Sequence, residues 1–207
     1  MTEEKKHTLS YEKFIKQPIK IGGKKVDLDE ILKNGGEASF KSNKEKKNPD
    51  ILFSVSDRSV SIKIENNDEF SFKAGMGENT EYTTLHFWVY TKNQLGEKYP
   101  GFPHGGQLVY TAFEFLKKKN TISCIQGDWY QGEDNYKSYQ KAIGDNKSPG
   151  KEVQSQAVNN TWSGRIFDIL GYANTDGVIS PYGDDVNICA NFYPKPRNFL
   201  QRFLRRG

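Results

Sequence analysis

Few side chains here have chemistry to offer near neutral pH, and several of them sit beside glycine. The 207 residues hold three histidines and two cysteines. His104 lies in Tyr99-Pro-Gly-Phe-Pro-His-Gly-Gly, which runs straight into the apolar-periodic segment Gln107 to about Lys118. A helix that opens there has unpaired amides. Those of His104, Gly105, Gly106 and Gln107 would face an anion such as a phosphate. The same glycine pair would also serve a tight entry into a packed helix. His104 would contact the anion or shuttle a proton, or else only pack. His86 stands in Leu85-His-Phe-Trp-Val-Tyr, a strand by its aromatic and β-branched content. Its imidazole needs only a small shift to act as a base; the alternative is a residue on a strand face. Asp128, Trp129 and Glu133 follow the strand-like run Thr121 to Gln126. Ligands gather beyond the carboxyl ends of strands, so these three would hold an amine by charge and ring contact. Alternatively, Asp134-Asn135 caps a helix and Trp129 belongs to the core. Cys124 and Cys189 lie in apolar, strand-like runs and read as buried small hydrophobes. A thiol dyad of Cys124 with His86 or His104 would leave the thiol poorly exposed for attack. No disulfide framework and no Cys-x-x-Cys metal spacing is present.

The elements that must position these residues are legible in outline. Asp27-Leu-Asp-Glu-Ile-Leu-Lys predicts a short helix stopped by Gly35-Gly36. Ser39 to Pro49 reads as a solvated linker. Ile51 to Ile64 alternates in strand fashion around the turn Ser56-Asp57-Arg58-Ser59, which predicts a hairpin. Glu69 to Lys73 adds a third short strand. Strand, glycine loop, helix and strand over 85–126 form one βαβ unit, which favours parallel pairing of its strands. Residues 127–159 read as an insertion with a helix through Ile143 and another opening at Ser148-Pro149. Val186 to Phe192 is a last strand.

Asn160 to Tyr172 predicts a capped amphipathic helix. Asn160 or Thr161 offers a side-chain oxygen to the first turn. Trp162, Ile166 and Ile169 or Leu170 make one apolar face. Gly171 takes the left-handed conformation that ends a helix, and Tyr172 packs back on the last turn.

Together these residues resemble the GNAT superfamily of acyl-CoA-dependent N-acyltransferases. In that family a loop of pattern Arg/Gln-x-x-Gly-x-Gly/Ala opens a helix and grips the CoA pyrophosphate. A later motif reads Asn-x-x-Ala-x-x-Leu-Tyr-x-x-x-Gly-Phe. Here it becomes Asn160, Ser163, Ile166, Phe167, Gly171 and Tyr172, two identities and four similar residues. The resemblance spans about residues 50 to 195, with its specificity in 83–126 and 160–172. It implies an α/β fold with a mixed antiparallel and parallel sheet flanked by helices. It implies acetyl-CoA or another acyl-CoA as co-substrate, held by His104, Gly105, Gly106, Gln107 and Asn160. The base would be Glu81, before the strand, or His86, within it. Tyr172 or Tyr130 would protonate the thiolate, because Phe167 stands where the family often has its tyrosine. An amide near Val89 to Thr91 would hold the oxyanion. Pro100 and Pro103 depart from the loop pattern, and proline has no amide to donate. These departures motivate a second reading, a catalytically degenerate GNAT-like module that binds a protein partner.

The expected organisation is an extension at 1–50, a GNAT-like domain at 51–196 carrying the 127–159 insertion, and a basic tail at 197–207. Aromatics at 13% within an apolar fraction of 35% predict a core built on rings. A net charge of +4 suits an anionic cofactor or acidic partner and does not by itself indicate nucleic acid, so none is expected. Acceptors would be a small-molecule or protein amine. The tail interleaves Arg197, Arg202, Arg205 and Arg206 with Phe199, Leu200, Phe203 and Leu204. It would lie on an acidic membrane or partner, or pack on the domain. No run is long enough to cross a membrane and no signal peptide is seen. The expected location is the cytoplasm, including that of a host cell entered by a bacterial effector.

Overall fold

The computed structural model describes residues 10–41, 50–65, 67–77, 83–90, 103–130, 133–146, 148–179 and 188–196. Glu81, Pro100 and the basic tail lie outside them. The chain divides into two compact units, Met1–Ile122 and Ser123–Gly207.

The first unit begins with a helical turn at 10–15 (α1) and a small hairpin, β1 (Lys20–Ile21) and β2 (Lys24–Lys25). Helix α2 (Leu28–Lys33) follows, capped by Asp27, whose Oδ1 accepts from the amides of Asp29 and Glu30 at 3.0 and 3.2 Å. Gly36 then sits at φ 82°, with a would-be Cβ 2.6 Å from the Val55 carbonyl oxygen, so glycine is required there. Five strands form an antiparallel run: β3 (Glu37–Lys41), β4 (Asp50–Val55), β5 (Ser59–Ile64), β6 (Asn67–Met76) and β7 (Thr84–Tyr90). Their inward positions are Ile51, Phe53, Val55, Val60, Ile62, Ile64, Phe72, Ala74 and Leu85, all buried. Helix α3 (Gly105–Lys117) buries Leu108, Val109, Ala112, Phe113, Phe115 and Leu116. Leu108 and Ala112 line one small apolar space together with Ile19, Leu28, Phe53, Val60 and Ile62. The Asn120 amide reaches the Asp57 carbonyl at 2.8 Å, tying the end of α3 to the β4–β5 turn.

Two expectations change. Residues 10–41 are not an appended extension. Ile15, Ile19, Ile21, Val26, Leu28 and Ile31 are buried, and β3 pairs with β4 along its length. Six such side chains, at about 1.5–3 kcal/mol each, make this segment part of the core. The third strand is also twice the expected length, because β6 is ten residues long.

The second unit contains β8 (Cys124–Trp129), α4 (Asp134–Ile143), α5 (Lys151–Asn159), α6 (Trp162–Ile169), β9 (Tyr172–Ala173) and β10 (Ile188–Pro194). Strand β10 is antiparallel both to β8 and to β9. Gly127 to Trp129 therefore belong to β8 and not to an insertion. The two expected helices are present as α4 and α5, but the N-cap of α4 is Glu133 rather than Asp134 or Asn135, and α5 opens at Lys151 with Gly150 as N-cap rather than at Ser148-Pro149. Helix α6 starts on Thr161, whose hydroxyl donates to the Val158 carbonyl at 2.7 Å and accepts from the Gly164 amide at 3.0 Å. A Cβ on Gly164 would lie 2.7 Å from the Asn159 carbonyl oxygen, so glycine lets α6 start hard against the end of α5. Gly171 ends α6 at φ 89°, as expected. The chain is thus a mixed α/β protein of sheets flanked by helices. No helix among the described residues is long and apolar enough to cross a membrane.

Candidate functional site

The first place to test is the N-terminus of α3. His104, Gly105, Gly106 and Gln107 do form one helix-opening turn, but its donors are turned inward. His104 is the N-cap, with φ −68° and ψ 140°. Its Nδ1 accepts from the Gly106 amide at 3.1 Å. Its own amide donates to Gln107 Oε1 at 3.4 Å, and the Gln107 amide donates to the His104 carbonyl at 2.9 Å. This is a capping box built with a histidine, and three of the four amides expected to hold a phosphate are used within the turn. A neutral imidazole is needed for Nδ1 to accept, and partial burial pushes the His104 pKa down.

Helix α1 lies against this turn. The Tyr11 and Phe14 rings meet the His104 ring edge-on, with centroids 6.0 and 5.4 Å away. A Cβ on Gly106 would be 2.8 Å from Tyr11 Oη and 2.9 Å from Ile15 Cγ2. The glycine pair therefore does admit a close approach, but the approaching group is the chain's own helix. Pro103, with no amide, is buried beside it. Asn160, the remaining residue assigned to the cofactor, is the C-cap of α5 and exposed. Thr161, not Asn160, caps α6.

The second place is the half-buried face shared by β8 and β10. Asp128 accepts from Gln126 Nε2 at 3.1 and 3.2 Å and stands directly opposite Cys189. Burial, a hydrogen bond to the Asp128 carboxylate and its charge push the Cys189 thiol up to about 12. That thiol stays protonated and is no nucleophile. Asn191 lies opposite Gln126, and its Nδ2 donates to Tyr193 Oη at 3.4 Å. Asp128 is the carboxylate on this face, and no group of His, Cys, Asp and Glu among the described residues could hold a metal ion. Among the described residues the face shows no group that attacks a carbonyl.

The other expected substrate residues do not join it. Trp129 points to the opposite side of β8 and is buried in the core at 3% exposure. Glu133 folds back on its own turn, where Oε2 accepts from the Tyr130 amide at 3.1 Å. Among the expected catalytic groups, Tyr172 is buried on β9, and that burial raises its pKa. Phe167 is a core ring, 4.8 Å from Phe192 and edge-on to it. His86 faces outward on β7, stacked on Trp88 at 5.6 Å with an 18° interplanar angle. Glu81 lies outside the described residues.

Three groups of residues were missed by the sequence reading. Cys189, Asn191 and Tyr193 alternate along Ile188–Pro194 and so share a face, a pattern present in the sequence. Trp88 and Lys73 pair across β6 and β7 through a register the sequence does not display. Asn174, 3% exposed, donates to the Gly177 and Asn191 carbonyls at 2.8 Å each and accepts from the Gly177 amide at 3.0 Å. It pins the segment after β9 and has a structural role.

No protein-family model matches the chain. No curated protein matches it either. Among solved structures it is similar to the crystal structure of a protein of unknown function, AQ1966, from Aquifex aeolicus VF5. That similarity has 14% identity and a TM-score of 0.42, over 86% of this chain and 83% of that one.

Proposed function

We propose that this chain is a GNAT-like domain that no longer transfers acyl groups and works as a binding module. The GNAT-like part of this reading is supported by element order within each unit. An antiparallel run of strands leads into α3, and α6 ends on glycine before β9, with β10 paired to both β8 and β9. The loss of catalysis rests on one observation. The turn that should grip a pyrophosphate is capped by its own histidine and covered by α1. An acyl-CoA would have to displace Tyr11 and Ile15 and break the capping box before gaining the amides of His104, Gly106 and Gln107. Phe167, packed on Phe192, supplies no proton to a leaving thiolate.

Thermal melting with CoA, acetyl-CoA and a long-chain acyl-CoA tests this reading. A ligand at a hundred times its dissociation constant stabilises by about 2.7 kcal/mol. For a chain of this size that is a rise of about 5–10 °C. The expected result is no shift with any of the three. A rise with acetyl-CoA would restore the acyltransferase reading, with an amine as acceptor.

A further inference from the structure

The outward face of β5, β6 and β7 sorts its residues in a way the net charge conceals. Ser61 lies opposite Lys73, and Lys73 lies opposite Trp88. Lys63 lies opposite Ser71, one row along. Lys63 and Lys73 are exposed, and Trp88 leaves 37% of its large surface open to solvent. The Lys73 ammonium is 5.3 Å from the centre of the Trp88 ring, and His86 stacks on the same tryptophan. Gly75, opposite His86, leaves the sheet low under the Trp88 ring; a Cβ there would be 3.7 Å from it. Among residues whose side chains are described, the carboxylates Glu37, Asp50 and Glu65 lie toward the β3–β4 side or at the end of β5, and Asp50 is held by the Ser39 hydroxyl at 2.8 Å; Asp68 and Glu69 stand in β6 before Ser71.

We propose that this face binds single-stranded nucleic acid, with one base against Trp88 and the flanking phosphates on Lys63 and Lys73. The chemistry favours that occupant over an acidic peptide. Lysines, serine hydroxyls and aromatic rings interleave on an open sheet, where bases splay out and stack. Lys73 is directly opposite Trp88 and Lys63 is diagonal to Lys73, so each step along the row is about 5–8 Å, with Lys63 two strands from Trp88. That spacing serves a base and its adjacent phosphates. The Lys73 side chain exchanges its contact with the ring for a phosphate, and the base takes its place. Sequence-specific readout is not implied, because stacking and phosphate neutralisation accept any base. The expectation of no nucleic-acid partner came from net charge, which cannot show how charge is distributed over a sheet. The proposal does not depend on the closed α3 turn.

Fluorescence anisotropy of the full chain with labelled 15-residue oligo(dT) and oligo(U) tests it. Binding is expected at 50 mM salt. With two phosphates neutralised, affinity should fall about sevenfold between 50 and 200 mM. Trp88→Ala should weaken binding by about tenfold or more, and Trp88→Phe should restore most of it. Lys63→Glu with Lys73→Glu should abolish it. Lys63 and Lys73 are exposed, so the lysine variants should melt near the parent's temperature, and Trp88→Phe, which keeps a ring on the sheet, separates lost binding from lost folding at position 88. Absence of binding at 50 mM salt overturns the proposal. So does binding that the Trp88 and lysine variants leave unchanged, which would move the site elsewhere on the chain. Equal displacement of the oligonucleotide by poly-glutamate would assign the face to acidic proteins and overturn it as well.

Discussion

Replacing Gly106 with alanine separates a covered helix terminus from an open one by the sign of its effect. If nothing lay on the first turn of α3, Gly106→Ala would stabilise the protein. Alanine is favoured over glycine in a helix by about 0.8–1 kcal/mol, and somewhat less in a first turn. The structure predicts the opposite. The new Cβ would meet Tyr11 Oη at 2.8 Å and Ile15 Cγ2 at 2.9 Å, both inside normal contact. Tyr11 can swing away, but Ile15 is 0% exposed and has no free side to move into. Overfilling a packed site costs about 1–3 kcal/mol, and expelling Ile15 altogether would cost about as much. After the propensity gain, a net loss of about 0.5–2 kcal/mol remains. That lowers the melting temperature by about 1–8 °C for a chain this size. The assay is thermal melting by circular dichroism, combined with limited trypsin digestion, because Lys13 and Lys16 lie in and just after α1. Digestion after these lysines should quicken as α1 lifts. A variant that melts at or above the parent temperature, with unchanged digestion, would refute the placement of α1 on the α3 turn. It would also remove the main support for a closed phosphate cradle.

Two further predictions concern protons. His104 has a folded pKa below its ordinary 6.5, lowered by burial. Its contribution to stability is therefore present above about pH 6.5 and lost as pH falls through the lower folded value. Melting temperatures measured from pH 7.5 to pH 5 should fall less steeply in His104→Ala than in the parent; equal slopes would show that the imidazole does not cap the helix as a neutral acceptor. Cys189, pushed up to about 12 with burial the largest cause, should resist iodoacetamide at pH 8 in the native protein and react after unfolding in guanidinium. Asp128→Asn removes the facing carboxylate and should speed native alkylation. Fast alkylation of the unmodified chain would contradict the Asp128 contact.

What the sequence showed was local. Asp27 before Leu28, the Ser56–Ser59 turn, the periodic face of α3 and Gly171 after α6 each carry their signal within a few residues, and each element is present. What it hid was decided at a distance. The turn at His104 reads equally well as an anion cradle and as a capping box, because both use the same amides. The choice is made by Tyr11 and Ile15, about 90 positions earlier in the chain. Strand β3 has only Ala38 and Phe40 as inward residues, too weak an alternation to stand out among lysines and glutamates. Its membership in the sheet comes from pairing with β4. The same holds for Trp88, which reads as one more aromatic in an apolar strand until the register places it outward beside Lys73.

The closed α3 turn also limits how this protein can hold an anion. A helix terminus binds phosphate with amides that cost nothing to present, because they have no other partner. Here the partners are supplied from within: His104 and Gln107 at α3, and Thr161 at α6. With those donors used at α3 and α6, while α4 and α5 carry no side-chain cap, an anion kept from the α3 turn is left to side-chain cations on an exposed surface. The first unit offers them at Lys63 and Lys73. Such contacts are screened by salt, whereas amide contacts in a closed cradle are screened much less. The two modes thus predict different ionic-strength dependence for any anion this chain binds. Steep salt dependence that vanishes with the two lysines places the anion on the sheet. Weak dependence that vanishes with Gly106→Ala places it at the helix.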